Sequence, residues 1–337
     1  MRYLILGCGP AGIAAARNIR KAKPDAEIVI ATEEYDAPYL RPLLPDFIRG
    51  DADLAAIGDP QGKDLFEKRI QVLPRVQATG MDMGARRVTF SDGTEETYDA
   101  LLVATGGKPE VPPSLKKELA AIVTFDSLRD ALRIRERVKR EGTVVVYGPG
   151  YLAIEACRAL GKAKREVIWI KPDLPKYGYP IRGELEARIL DNVRSRGTSI
   201  REGDDIVHVW EDGGESCVVF TRNGDEISCT TLVVATERIP SVRFLAGSGV
   251  VTGTGILVDD FLQTSVPDIY AAGDCAEFMV DRTKGMTRIN FGWRSAIRQG
   301  SLAGENMAGR KRRFLRNPED YFWVLFGFPL LDRTRKE

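Results

Sequence analysis

The densest chemistry in the chain lies in its first thirteen residues. An apolar run, Met1-Arg2-Tyr3-Leu4-Ile5-Leu6, breaks into Gly7-Cys8-Gly9-Pro10-Ala11-Gly12 and resumes at Ile13 as an alanine-rich segment. Glycines at this spacing between a strand and a helix form a cradle for the pyrophosphate of a dinucleotide. Gly7 allows the tight turn, Gly9 lets the backbone approach the phosphates, and Gly12 lets the helix pack on the sheet. Pro10 and Ala11 lie inside the cradle, where free amides and the helix dipole favour an anion. The context supports this reading: a helix from Ala14 to Lys21 follows, and a second strand, Glu27 to Ala31, ends in Thr32-Glu33-Glu34. Either glutamate there can accept the ribose hydroxyls of an adenosine.

The same grammar returns at Thr143-Val144-Val145-Val146-Tyr147-Gly148-Pro149-Gly150-Tyr151-Leu152-Ala153-Ile154-Glu155, with Ala153 where the third glycine would stand. Alanine is tolerated at that place. Two cradles in one chain imply two cofactors brought face to face, the alternative being one functional cradle and one vestigial one. The strand closing the second unit, Val167 to Ile170, ends in Lys171. A cation there accommodates a ribose phosphate, so Lys171 leans toward NADPH, with Lys176 and Arg182 as nearby helpers.

Other chemistry-bearing residues are sparse. Arg41, between two prolines, is within reach of an adenine or its phosphates. Asp274 follows Tyr270-Ala271-Ala272-Gly273, where a carboxylate can accept hydrogen bonds from a polyol or cap a following helix. Cys8, Cys157, Cys217, Cys229 and Cys275 form no close sequence pair, which argues against a disulfide framework or a metal centre. The one histidine, His208, falls in a strand-like stretch and is expected to be a half-exposed strand residue. No catalytic side chain and no metal ligand is assigned. The 337 residues allow two domains, and 49 basic against 48 acidic residues, net +1, ask for no nucleic acid. No apolar run approaches the roughly 20 residues that span a bilayer. The chain opens directly on the first cradle strand, so no leader and a cytoplasmic location are expected.

These elements predict an α/β fold of two Rossmann-like domains, the second inserted in the first. Residues 1–112 and 241–308 make one domain, 113–240 the other, and 309–337 a terminal segment. Within the first, Val72 to Asp82, Arg87 to Phe90 and Glu95 to Tyr98 read as hairpin strands, and the run Tyr98 to Pro109 as a buried strand ending in a glycine turn, with Ala104-Thr105-Gly106-Gly107 inside it. Residues 126–140 and roughly 182–196 read as helices. Thr230 to Thr236 echoes the Ala104-Thr105 segment.

Taken in order, Gly7-x-Gly9-x-x-Gly12, Pro38-Tyr39-x-Arg41-Pro42-x-Leu44, Ala104-Thr105-Gly106-Gly107, Gly148-x-Gly150-x-x-Ala153-x-Glu155, Tyr270-Ala271-Ala272-Gly273-Asp274 and Trp293-x-x-Ala296-x-x-Gln299-Gly300 resemble the FAD-dependent pyridine nucleotide oxidoreductases. The similarity is to the branch of rubredoxin reductases and nitrite reductase flavin modules, over residues 1 to about 330. The resemblance implies FAD in the first cradle, with Glu33 or Glu34 on the adenosine ribose, Arg41 and the backbone near Val76 at the adenosine end, Ala104, Thr105, Gly106 and Gly273 in flavin-site motifs, and Asp274 on the ribityl chain. It implies NAD(P)H on Gly148, Gly150, Tyr151 and Leu152, with Glu155 near the nicotinamide.

The departures narrow the chemistry. The redox cysteine pair and C-terminal histidine of the disulfide-reductase branch are both missing, as is the single cysteine of the peroxidase branch. Asp46 stands where many relatives have a lysine, which places two carboxylates, Asp46 and Glu155, at one pocket without an evident cation. Asp126 replaces an arginine expected to contact FAD. Asp320 to Leu331 resembles the first strand of a longer C-terminal domain, and its aromatic stretch, Tyr321 to Leu331, is expected to pack on another subunit or on its own FAD domain. The expected function is electron transfer between a nicotinamide nucleotide and a protein carrier, of rubredoxin or iron–sulfur type, through FAD. The alternatives are the flavin subunit of an electron-transfer complex with a degenerate NAD(P) site, and a non-catalytic flavoprotein redox sensor.

Overall fold

A computed structural model describes residues 1–36, 38–65, 67–115, 119–161, 165–173, 183–212, 216–281, 283–315, 324–325 and 328–329. The chain divides into two compact units: Met1–Tyr39, Gly58–Lys108 and Ile239–Tyr321 form one, and Leu40–Ile57, Pro109–Arg238 and Phe322–Glu337 the other. Each is built on its own five-stranded sheet.

In the first unit the strand order is Ile269–Ala271, Ala100–Val103, Arg2–Leu6, Glu27–Ala31 and Gln71–Leu73, every neighbouring pair parallel. Leu4, Ile5, Val29, Ile30, Leu101 and Leu102 are fully buried. A parallel sheet covered on both faces needs such unbroken apolar strands, and each side chain so buried contributes roughly 1.5–3 kcal/mol. The helix Pro10–Ala22 packs along the helix Trp293–Met307. Gly300 and Gly304 of the second helix face the backbone of Ala11 and Ala15 so closely that a Cβ at either glycine would enter that backbone. Here the absence of a side chain sets the distance between the two helices.

The stretch from Val72 to Asp82, expected as one hairpin strand, is two. Gln71–Leu73 is the parallel edge of the large sheet, while Ala78–Asp82 starts an antiparallel meander with Arg87–Phe90 and Glu95–Thr97. The chain turns between them at Arg75, whose φ is +63°. Val88 and Phe90 of the meander complete the core.

The second unit repeats the plan: Thr198–Glu202, Val167–Lys171, Val144–Tyr147, Thr231–Val234 and Ile122–Thr124, again all parallel. Helices Tyr151–Leu160, Leu128–Arg137 and Glu184–Ser195 accompany it, the last two ending within a few residues of the expected 126–140 and 182–196. An antiparallel sheet of Ile206–Asp212, Ser216–Thr221 and Glu226–Cys229 precedes the Thr231–Val234 strand, and His208 is an exposed strand residue there. Among the described residues no helix is long and apolar enough to cross a membrane. The expected contact segment Tyr321–Leu331 lies outside the described residues, except that Val324–Leu325 pairs antiparallel with Phe328–Pro329. Lys176 and Arg182 also lie outside them.

Candidate dinucleotide sites

All the elements of the first cradle reach the carboxyl edge of their sheet, next to the central strand where the chain order reverses, the place at which open α/β sheets bind ligands. Gly7 has φ +114°, a conformation that favours glycine, and a Cβ there would collide with the Ala104 carbonyl. A Cβ at Gly12 would collide with the Gly7 carbonyl, whereas a Cβ at Gly9 would meet nothing within 4 Å. The turn is closed underneath and open at the one position where a pyrophosphate must approach. Its helix starts at Pro10 with no side-chain cap and no acidic residue in the first turn. By contrast the helix Leu128–Arg137 is closed by a capping box of Ser127 and Asp130. Uncapped amides beside open space suit a bound anion.

The same edge gathers other residues read from the sequence. The Ala104 amide donates to the Leu6 carbonyl at 2.8 Å, Thr105 Oγ1 donates to the Ser241 carbonyl at 2.9 Å, and Gly106 accepts from the Ser241 amide at 2.9 Å. The Gly273 amide donates to buried Gln299 Oε1 at 2.7 Å. Asp274 Oδ1 accepts from the Gly292 amide at 3.2 Å. A strand, Ala276–Asp281, follows Asp274 rather than the helix expected there; the carboxylate instead reaches the amide at the start of the helix Trp293–Met307. Val76 lies beside the end of the second strand, its amide donating to the Thr32 carbonyl at 2.9 Å.

The two glutamates of that strand end differ. Glu33 pairs with Lys108 at 2.8 Å. Glu34 lies near Cys8: burial first, then the charges of Glu34 and Asp59, push the Cys8 thiol up to about 12. Cys8 is therefore a protonated, unreactive thiol at neutral pH. Cys275 is buried behind the sheet, its thiol raised by burial to about 11.

The second cradle copies the first. A Cβ at Gly148 would enter the Ala235 carbonyl, while one at Gly150 would meet nothing within 4 Å. Ala153 is fully buried, and Tyr151 and Leu152 open a helix without a side-chain cap or a first-turn acid. The echo between Ala104-Thr105 and Ala235-Thr236 is structural: each alanine carbonyl lies under its cradle glycine, and Thr236 Oγ1 donates to the Glu110 carbonyl at 2.6 Å.

Asp46 and Glu155 are not left without a cation. Arg158, three residues beyond Glu155 on the same helix, donates from Nε to Glu155 Oε2 at 2.8 Å and from Nη1 to Asp46 Oδ1 at 2.9 Å. Arg49 reaches the same Asp46 oxygen at 2.6 Å. Burial pushes the Glu155 carboxyl above its ordinary range; Arg158 opposes the shift and Asp46 adds to it. The sequence carried the signal for Arg158, since residues three apart on a helix are neighbours.

Arg41 is placed on Asp126, donating from Nη1 to its backbone carbonyl at 2.7 Å and to Oδ1 at 3.4 Å, and Arg238 pairs with the same Oδ1. Asp126 thus anchors two arginines. Lys171 is held by Glu186 at 2.9 Å. Among the described residues no three acidic, histidine or cysteine side chains gather as a metal site.

The family description "Pyridine nucleotide-disulphide oxidoreductase" matches residues 1–300. The chain belongs to this family. As a pyridine nucleotide oxidoreductase it is an enzyme that works with FAD and NAD(P)H, and both cradles fit a dinucleotide by the open space over Gly9 and Gly150. An NADH oxidase of Methanocaldococcus jannaschii is 29% identical over 327 residues, with 93% of this chain and 71% of that protein covered. An NADH-rubredoxin oxidoreductase of Clostridium acetobutylicum is 30% identical, with 91% of this chain and 75% of that protein covered. Among solved structures, putidaredoxin reductase in its covalent complex with putidaredoxin shares the fold with a TM-score of 0.84 at 23% identity, over 93% of this chain and 76% of that one.

Proposed function

We propose that this oxidoreductase moves electrons between NAD(P)H and a protein electron carrier of the rubredoxin or iron–sulfur type through FAD. The observation that carries the reading is the duplicated cradle, closed under the first glycine and open over the second in both units. Relatives named for rubredoxin and ferredoxin reduction support the carrier class. FAD supplies the chemistry, taking up two electrons as a hydride and passing them on singly.

The chain's own residues bind and orient. In the first unit Gly7, Gly9, Pro10, Ala11 and Gly12 cradle the FAD pyrophosphate, Asp274 accepts from the ribityl hydroxyls, and Glu33 or Glu34, at the end of the second strand, accepts from the adenosine ribose. Ala104, Thr105, Gly106, Gly273 and the Val76 backbone shape the same edge, and Arg41 holds its loop through Asp126. In the second unit Gly148, Gly150, Tyr151 and Leu152 seat the nicotinamide nucleotide, Lys171 lies at its ribose, and Glu155, oriented by Arg158, holds the nicotinamide end. Cys8 stays protonated and takes no part as a nucleophile. Hydride transfer asks mainly for proximity and orientation, so no acid–base side chain is required.

Anaerobic stopped-flow mixing of the flavin-loaded protein with NADH or NADPH tests this. Rapid bleaching of the flavin band by either nucleotide, followed by reoxidation with rubredoxin or a small ferredoxin, is expected. A flavin reducible by dithionite and indifferent to both nucleotides would overturn it.

A further inference from the structure

Cys217 and Cys229, separate in the sequence, face each other in the structure. Ser216–Thr221 and Glu226–Cys229 are adjacent antiparallel strands whose register sets Cys217 opposite Cys229. The register follows from the loop. The Thr221 amide donates to the Asp225 carbonyl at 3.0 Å, leaving three loop residues, Arg222, Asn223 and Gly224, the last with φ +93°. A two-residue Asn-Gly loop would have placed Cys217 against Thr230 instead. Both cysteines lie on the buried face with Val219 and Ile227, and their Sγ atoms are 3.3 Å apart.

Directly opposed residues of an antiparallel pair have Cα atoms roughly 4.5–5.5 Å apart. That lies inside the span of roughly 4.4–6.8 Å that a disulfide bridges. Forming the bond therefore asks for side-chain rotation and no change of register. The pair is also polarised. With Cys229 as donor, the thiol–thiol hydrogen bond favours the Cys217 thiolate; burial and Glu211 oppose it and Arg137 assists. The same hydrogen bond, with burial, holds Cys229 protonated. Arg137 is fixed beside the pair, donating to the Thr230 carbonyl at 3.0 Å. A thiol with a cationic neighbour and a resolving thiol in contact has two features of oxidisable cysteines, and burial of the pair slows the reaction rather than changing its partners.

We infer that Cys217 and Cys229 are a reversible thiol oxidation site that takes hydrogen peroxide or a small organic hydroperoxide. The Cys217 sulfur attacks the peroxide, breaking the O–O bond and becoming a sulfenic acid as hydroxide leaves. Cys229 then attacks that sulfur, its proton leaves with the departing hydroxide as water, and an S–S bond forms. The sum is two thiols and one hydrogen peroxide giving one disulfide and two waters. Cys229 ends the edge strand of its three-stranded sheet, and because Cys217 is 1% and Cys229 3% exposed, a small oxidant reaches the pair by local opening of that edge. The bond would tie the hairpin to the chain two residues before Thr231–Val234, the strand leading to Ala235 beneath Gly148.

The test uses the full flavin-loaded chain. After exposure to excess hydrogen peroxide, free thiols are alkylated in denaturant and the protein is mapped by mass spectrometry. The expected result is a Cys217–Cys229 linked peptide lighter by two hydrogens, restored by dithiothreitol, with a melting temperature several degrees higher while it persists. Cys157, fully buried without a thiol partner, is the internal control and stays reduced. Cys217→Ala and Cys229→Ala, each checked for native circular dichroism, should abolish the link; the second should leave a sulfenic acid at Cys217 that dimedone traps. Both thiols alkylated after peroxide, or Cys229 oxidised to sulfinic acid without a link, would overturn the inference. A link between other cysteines would do the same.

Discussion

The two cradles share a backbone and differ in what surrounds it. In the first, the tightest approaches are to main chain: Gly7 over the Ala104 carbonyl, Gly12 over Gly7, Gly300 and Gly304 over Ala11 and Ala15. In the second, Ala153 already occupies the third position, and the cradle helix is tied to the Leu44–Arg49 helix by charged side chains, Arg158 between Glu155 and Asp46. The first site is set mainly by the absence of atoms; the second shares that at Gly148 and adds the ion pairs of Arg158. The two should therefore fail in different ways, the first by steric intrusion and the second by loss of charge.

Gly12→Ala should give the largest effect. Its Cβ has no exit, because the atom it meets is the Gly7 carbonyl and not the flexible end of a side chain. Overpacking of this kind costs about 3 kcal/mol, and the purified protein should lose FAD, read from flavin absorbance per chain. Ala153→Gly at the matching place should cost only about 1 kcal/mol, the helix propensity difference, and keep its FAD. Equal flavin content and melting temperature in Gly12→Ala and wild type would erase the contrast between the cradles.

Arg158→Met should come next. It leaves Glu155 and Asp46 largely buried, with only Arg49 to neutralise Asp46. Breaking a buried ion pair from one side costs 3–5 kcal/mol, and partial exposure with the remaining arginine brings that to about 2 kcal/mol here. The loss should appear in urea unfolding and in weaker NAD(P)H binding, with FAD content unchanged. Arg158→Lys keeps the charge but not the forked geometry and should recover part of it.

The cradles could be read from the sequence because their determinants are local: a strand, a turn that tolerates only glycine, a helix. The position of Arg158 is equally local, three residues from Glu155, yet its second partner, Asp46, lies 112 residues away on the Leu44–Arg49 helix and only the fold brings it close. Gln299 stands in the Trp293-x-x-Ala296-x-x-Gln299-Gly300 motif, but its hydrogen bond from the Gly273 amide depends on the fold. The facing of Cys217 and Cys229 depends on a single residue of loop length, since a one-residue slip in a hairpin moves every cross-strand partner. Periodicity shows which residues form strands; pairing across a loop is settled by turn geometry that Asn223-Gly224 alone leaves open.

A pH series sharpens the electrostatic half of the comparison. The Glu155 carboxyl titrates above its unfolded value of about 4.3. The folded state therefore binds this proton more tightly than the unfolded state, so the contribution is favourable at acid pH and is lost as pH rises from the unfolded value through the raised one. Glu155→Gln cannot titrate. The stability difference, wild type minus variant, should fall across that window and be flat above it, as followed by thermal melts at closely spaced pH. A difference that rises with pH would mean that Arg158 outweighs burial.

The smallest effect concerns nucleotide choice. Lys171 ends its strand at the proposed ribose site, and its charge is already engaged by Glu186. The glutamate competes with any phosphate for the same ammonium group, so Glu186→Gln should release Lys171 and strengthen NADPH binding while leaving NADH binding nearly unchanged. A partly exposed ion pair is worth on the order of 1 kcal/mol, which is about a fivefold change in affinity. Lys171→Ala should move the NADPH to NADH ratio the other way. If both variants bind the two nucleotides in the wild-type ratio, the Lys171 and Glu186 pair only packs the end of the strand. The contrast between an acidic first cradle and a basic second one would then carry no information about which nicotinamide nucleotide is used.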